Sequence, residues 1–425
     1  MDSYPLTPSQ ARSLEGRSLA DAERSVLPVV LGSSKRLDER RLRTALRSLT
    51  RSHAALRLRL IRTPDGEYRQ VLAPPRDDED LLTVIDIGPV PQAAQNHAIA
   101  VAFERMALSF DLRAGPVFRA ALVRTGGDDV LVLAVHHFSC DVVSLGVLAL
   151  ELQRAYDGDH AQPPVPPGSG YASYLSTLRT GPPVGAAPPA EAWWLDRPWR
   201  EVSQPAGVDT TAMFEFGTDN FFSTSLTFPA APTSREFEAY LLSALASAMF
   251  EVCGLRWARL DTLHHGRRTG TRHLVGWISR MVPHLLPADA SPDVHLKEID
   301  EVRGKAAAWE DAQARIRAHH AGLWETICRT GHVLVNFYGT VLADVRRKLS
   351  TFYPFPYQPQ RMIPPRRPSV YPVRLLVQRQ ETSVDLSWTF DSLFRDRQIP
   401  REIATHATSS LAKIGRSLPG WGLST

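Results

Sequence analysis

Eight prolines fall between residues 162 and 189, among glycine, serine and alanine. Proline fixes φ and has no N–H to give a ladder, so no central strand or long helix crosses this stretch. It reads as a semi-rigid connector dividing the chain into two halves, with one short helical piece at 171–178 inside it. Each half has enough apolar residues for its own core: the chain has 425 residues, 43% of them hydrophobic and 22% charged. That length accommodates two or three domains without metal or disulfide support. The longest apolar runs, 130–135 and 142–150, fall well short of the ~20 residues that span a bilayer. The start, Met1-Asp2-Ser3-Tyr4-Pro5, lacks the features of a secretion signal, and a cytosolic protein is expected. Cys140, Cys253 and Cys328 show no paired spacing, which fits a reducing compartment.

The two halves carry the same mixture of periods. In the first, 37–52 and 92–106 are helical in pattern, 68–72 reads as a strand, and 117–124 and 130–137 read as adjacent strands around Gly126-Gly127-Asp128. An amphipathic helix over 143–156 ends at Gly158. In the second, helices are expected over 235–253, 297–316 and 399–414, and strands over 258–264, 333–336, 373–376 and 383–390. Strands interleaved with helices in both halves imply two α/β or α+β units. A second proline-rich stretch, 353–372, is too long for an ordinary connection and reads as a lid, a crossover or a disordered segment. The net charge of +4 is carried almost entirely by arginine, since lysine occurs only at 35, 297, 305, 348 and 413. No RNP, zinc-finger or basic-helix pattern accompanies it, so no nucleic-acid partner is expected.

The common catalytic motifs are absent: G-x-S-x-G, G-x-G-x-x-G after a strand, the Walker loop and H-E-x-x-H. His319, His320, Cys328 and His332 match no common metal spacing, and no metal is expected. The block that can carry chemistry is His136-His137-Phe138-Ser139-Cys140-Asp141, directly after the apolar run 130–135. Alternation along a strand sends the two imidazoles to opposite faces, so only one of them points into a shared site. An imidazole near its ordinary pKa is a natural general base toward an amine or hydroxyl nucleophile. Asp141 opens the following helix, where it caps the backbone or pairs with an arginine. Read locally, the same block also fits two histidines satisfied structurally at a strand end.

The block resembles the H-H-x-x-x-D-G signature of the condensation-domain superfamily of nonribosomal peptide synthetases and related acyltransferases. Other segments are similar to that family in the same order. They are Tyr4-Pro5-Leu6-Thr7-Pro8-Ser9-Gln10, Arg51-Ser52-His53-Ala54-Ala55-Leu56-Arg57, and the F-D-L-R-A-G-P-V-F-R run at 110–119. After the connector come Trp193-Trp194-Leu195, His265-Gly266-Arg267, Val275-Gly276-Trp277, Val282-Pro283, Val335-Asn336-Phe337-Tyr338-Gly339 and Ser387-Trp388-Thr389-Phe390-Asp391. The resemblance covers about 4–414.

This resemblance implies an α/β (α+β) fold: a pseudo-dimer of two chloramphenicol-acetyltransferase-like lobes in a V shape with a central tunnel. The lobes are placed at 1–165 and 191–425, joined by the connector 166–190. It implies His137 as base or nucleophile-positioning group, a more structural His136, and Asp141 holding the loop through Arg267. Asn336 would line the acceptor side and Trp388 would contact substrate; a turn residue and a solvated loop arginine are the plain alternatives for Asn336 and Arg267. The implied reaction is attack of an amine or hydroxyl on an acyl thioester. No bound cofactor is implied: the phosphopantetheine thioester arrives on a carrier protein in trans, or as CoA. Because no adenylation domain or G-G-x-S carrier site is present, a free-standing condensation enzyme is expected. One departure stands out, Val142 where the family has glycine. A β-branched residue does not adopt unusual φ or allow close backbone approach as glycine does. Alternatives in the same fold are cyclisation, dehydration or epimerisation, an idle carrier-protein recruitment module, and a generic CoA-dependent acyltransferase.

Overall fold

The computed structural model describes residues 2–15, 18–76, 80–158, 170–178, 185–209, 221–228, 233–267, 271–339, 341–355, 371–390, 394 and 396–417. Most of the proline-rich connector, and 356–370 of the second proline-rich stretch, lie outside them. The chain forms two compact units. The first comprises Met1–Thr180, His265–Ser279 and Val341–Pro365; the second comprises Gly181–His264, Arg280–Thr340 and Arg366–Thr425. Two segments from the second half of the sequence therefore belong to the first unit.

In the first unit a five-stranded sheet runs in the order Tyr353–Pro354, Val26–Ser33, Asp129–His136, Phe118–Arg124, Leu82–Asp86. Its pairs are antiparallel except the last, which is parallel. Every residue of Asp129–His136 is buried, because helices cover the sheet on both faces. Leu131, Leu133 and Val135 pack with Leu42, Leu46, Leu148 and Leu152 from helices Glu39–Ser52 and Val142–Asp157. Val130, Val132 and Ala134 pack on the opposite face with Ile99, Phe103 and Met106 from Gln92–Leu108. A strand buried on both faces reads as a continuous apolar run, which is what 130–135 shows. A smaller sheet joins Ser3–Tyr4, Tyr68–Leu72 and Leu58–Arg62.

The second unit holds a six-stranded sheet in the order Arg280–Pro287, Trp257–His264, Val333–Gly339, Val373–Arg379, Ser383–Phe390, Phe221–Thr227. Val333–Gly339 runs parallel to both neighbours, and the other pairs are antiparallel. Helices Ser234–Cys253 and Gln398–Ser417 pack on it through Leu241, Leu245, Ile403 and Ala407. Helix Ser234–Cys253 opens with a Thr233–Glu236 capping box and ends at Gly254 with φ 63°.

The expected helices and strands recur with shifted ends, and two departures have physical causes. The helix expected over 297–316 breaks into Pro292–Lys305, a 3₁₀ turn Ala306–Ala308, and Trp309–His319. Gly304 weakens the helix there, and Trp309 turns inward to stack with Trp194 and Trp199. Strands Val26–Ser33 and Arg280–Pro287 were not among those expected, and both contain proline: Pro28 in the first, Pro283 and Pro287 in the second. Arg280–Pro287 lies at a sheet edge, and Val26–Ser33 has only the two-residue strand Tyr353–Pro354 beyond it. At such positions a missing N–H is tolerated.

Candidate active site

The histidine block sits where Asp129–His136 leaves the sheet of the first unit and a single 3₁₀ turn, His137–Ser139, leads into helix Val142–Asp157. His136 continues the even face of the strand. It is fully buried, with Phe110 edge-on at 6.1 Å and Phe138 at 5.7 Å. Its Nδ1 accepts from the Phe138 N–H at 3.1 Å, so the neutral ring carries its proton on Nε2. That nitrogen lies near the backbone of Ala22 and Glu23 without a hydrogen bond of good geometry. Burial, with the neighbouring His137, pushes the pKa of His136 down to about 3. The residue is a neutral packing element.

His137 is held differently. Its backbone N–H donates to the Ser25 carbonyl at 2.7 Å, which fixes the chain at this point. Its ring is half-buried and stacks on Trp277 with centroids 3.9 Å apart and planes inclined by 29°. Nδ1 lies 2.9 Å from the carbonyl oxygen of Cys140. A carbonyl oxygen only accepts, so Nδ1 carries the proton and Nε2 keeps its lone pair. Burial lowers the pKa of His137, opposed by the Cys140 hydrogen bond and the negative charge of Asp141. At neutral pH the ring is therefore an oriented, neutral imidazole with a basic Nε2.

Asp141 does no proton chemistry in this arrangement, because its oxygens are fully used. It is the N-cap of helix Val142–Asp157, with Oδ1 accepting from the Ser144 N–H at 3.0 Å and the Ser144 hydroxyl at 2.8 Å. Arg267 forks across both oxygens, Nη2 to Oδ1 at 2.8 Å and Nη1 to Oδ2 at 2.7 Å. The N–H groups of Ile278 and Ser279 also donate to Oδ2, at 3.1 and 3.0 Å. This charge-assisted clamp ties segment 265–279 to the start of the helix, and so sets Trp277 against His137. Two glycines make the close fit possible. A Cβ at Gly266, where φ is +65°, would meet the Ile278 carbonyl, and one at Gly276 would meet the Tyr171 ring.

Val142 is the first residue of the helix. Among the described residues no residue other than glycine has a positive φ. The backbone φ at Val142 is therefore one that any residue adopts. The opening segment is a brace as well: Thr7 and Gln10 form a capping box, and Gln10 Nε2 donates to the Phe138 carbonyl at 2.6 Å. Gln10 also pairs with Gln70. The structure thus brings His136, His137, Asp141, Val142 and Arg267 together in the first unit.

Asn336 and Trp388 lie in the second. Asn336 is half-buried on the strand Val333–Gly339, in register with Leu263 and Leu376. Trp388 has no accessible surface and stacks on Phe222 inside the core, leaving no face for a substrate. Strand alternation puts it there, beside Leu386 and Phe390. The residues missed by sequence reasoning are Trp277, Ser144 and Gln10. Trp277 and Gln10 sat inside recognised segments, but nothing local showed what they would touch.

The sequence model of the family described as Condensation domain matches residues 1–313. The chain belongs to the condensation-domain family. Over 305 residues it is 26% identical to a linear gramicidin synthase of Brevibacillus parabrevis, covering 68% of this chain and 6% of that protein. Over 277 residues it is 28% identical to a plipastatin synthase of Bacillus subtilis, covering 60% of this chain and 11% of that protein. This condensation-family chain therefore spans only a small part of the curated relatives it matches. A solved variant of the starter condensation domain of rhizomide synthetase, in complex with C8-CoA and Leu-SNAC, superposes with TM-score 0.69 at 16% identity, covering 96% of this chain and 93% of that one. The epimerization domain from the third module of a tyrocidine synthetase gives 0.68 at 17% identity, covering 96% and 95%. At such identities the likeness is one of fold, the chloramphenicol-acetyltransferase-like fold expected above. Condensation and acyl transfer are the typical chemistry of the family. No helix among the described residues is long and apolar enough to cross a membrane.

Proposed function

We propose that the protein joins an amine or a hydroxyl to an acyl group delivered as a phosphopantetheine thioester, on a carrier protein in trans or on CoA. The observation that carries this reading is the tautomer of His137. With Nδ1–H held by the Cys140 carbonyl, Nε2 is the atom that accepts a proton. The nucleophile's nitrogen or oxygen bonds to the acyl carbon while its proton passes to Nε2. The C–S bond breaks, and the departing pantetheine thiolate takes the proton back, so the ring ends as it began. Trp277 stacked on the ring favours the transient imidazolium, a contribution of about 0.5–2 kcal/mol for a cation over an aromatic face. Positioning of the two substrates supplies the rest of the acceleration.

The idle recruitment reading rests on Val142, whose helical backbone needs no unusual φ. The test is product formation from an acyl-loaded carrier protein or acyl-CoA with a free amine or alcohol, for wild type and His137→Ala. Amide or ester product that depends on His137 supports the proposal. No product from any donor would return the recruitment reading to first place.

A further inference from the structure

We propose that Glu238, His264 and His284 form a binding site for a divalent transition-metal ion of the zinc class in the second unit. Glu238 comes from helix Ser234–Cys253, His264 closes the strand Trp257–His264, and His284 lies on the antiparallel neighbour Arg280–Pro287. One donor atom from each lies within 4.8 Å of the others. Two imidazoles and a carboxylate are a donor set that zinc-class ions accept, whereas magnesium and calcium take oxygen ligands. His284 is fully buried, the Glu238 side chain is 13% exposed, and the His264 side chain is 40% exposed. The cluster is thus rooted in the interior and reachable at His264, which leaves a fourth position for water.

Two atoms of the cluster are buried and make no hydrogen bond among the described residues: Glu238 Oε1 and His284 Nδ1. Leaving such atoms unsatisfied costs about 1–3 kcal/mol each, so their presence calls for a partner. The Thr262 hydroxyl lies 2.9 Å from His264 Nε2 and 3.1 Å from His284 Nε2. A hydroxyl has one proton, so at least one of the two rings donates to it and keeps a bare Nδ1 lone pair. Glu238 Oε2 faces Arg303 at 3.7 Å, while Oε1 faces His264 at 3.9 Å. Burial pushes both histidines toward the neutral form that binds metal, His284 down to about 3. The Arg303 charge opposes a cation, so micromolar rather than nanomolar binding is expected. Four-coordinate zinc with bonds of ~2.0–2.1 Å needs donors about 3.3 Å apart. Closing that gap requires the His264 and Glu238 side chains to rotate as the ion binds.

The test uses the full chain, stripped with a chelator and titrated with cobalt(II) for ligand-field absorption and with zinc(II) against a chromophoric chelator. One equivalent bound, with the intense bands of four-coordinate cobalt and a melting temperature raised by zinc, is the expected result. His264→Ala should weaken binding by about 100-fold or more, while His320→Ala on the exposed surface leaves it unchanged. If His264→Ala does not fold, Glu238→Gln carries the comparison. Absence of stoichiometric binding, weak octahedral bands only, or equal affinity in the site variants would overturn the proposal.

Discussion

At the scale of the residue, adjacent histidines hold opposite jobs because a strand alternates. His136 falls on the even face and is sealed among Phe110 and Phe138. His137 falls beyond the strand end, with Nδ1 committed to the Cys140 carbonyl. His137→Ala is expected to lower acyl transfer by ~10²–10⁴, the range for a lost general base, with the melting temperature nearly intact. His136→Ala should do the reverse, removing a buried ring from the core and costing about 2–4 kcal/mol in denaturant unfolding. A His137→Ala enzyme with full turnover would move the burden from base catalysis to positioning. Val142 belongs to this scale too. Its backbone is ordinary, so Val142→Gly should leave turnover unchanged and cost about 0.5–1 kcal/mol of stability. A large gain in turnover would instead show that the valine side chain blocks the substrate's approach.

At the scale of the element, the start of helix Val142–Asp157 is where the site is held. Asp141 caps this helix and receives both arms of Arg267 and two further backbone N–H groups from 278–279. Asp141→Asn turns one acceptor into a donor and leaves the Arg267 charge buried without its partner. The expected cost is about 3–5 kcal/mol, read by chemical denaturation, with activity lost in proportion to folding. A variant as stable as wild type would mean that the clamp is dispensable. Much of this element was legible beforehand. Local pattern at Asp141 invites a cap or an arginine without saying which one; the family resemblance named Arg267, 126 positions away, and the structure pairs the two.

At the scale of the whole molecule, both units bury histidines in the neutral state. His136 is pushed down to about 3, and His332 in the second unit down to about 4. For His136 the neighbouring titratable group is His137, which lowers the pKa further once it is protonated; for His332, Arg259 lowers the pKa and Asp261 raises it. In the unfolded chain these rings take a proton near the ordinary value of about 6.5. Between that value and the folded ones the unfolded state binds more protons, so stability falls as pH falls. Taking the protein from pH 7 to 4.5 should cost about 2–3 kcal/mol for each of the two histidines, measured as a drop in unfolding free energy. Flat stability across that window would show that the rings take up protons without unfolding.

The sequence by itself determined the local elements, because period, caps and turn residues act over a few positions. The run 130–135 announced a strand, and Gly158 the end of the next helix. The motif order also pointed to the histidine block and to the family. Apart from the Asp141–Arg267 pair, which the resemblance had named, tertiary structure decided which side chains meet. It placed segment 265–279 in the first unit, stacked Trp277 on His137, and sealed Trp388 in the core of the second. It also gathered Glu238, His264 and His284 from one helix and two strands. Those meetings depend on which strands and helices pack together across long sequence separations, and a pattern acting over a few positions does not name the distant partner.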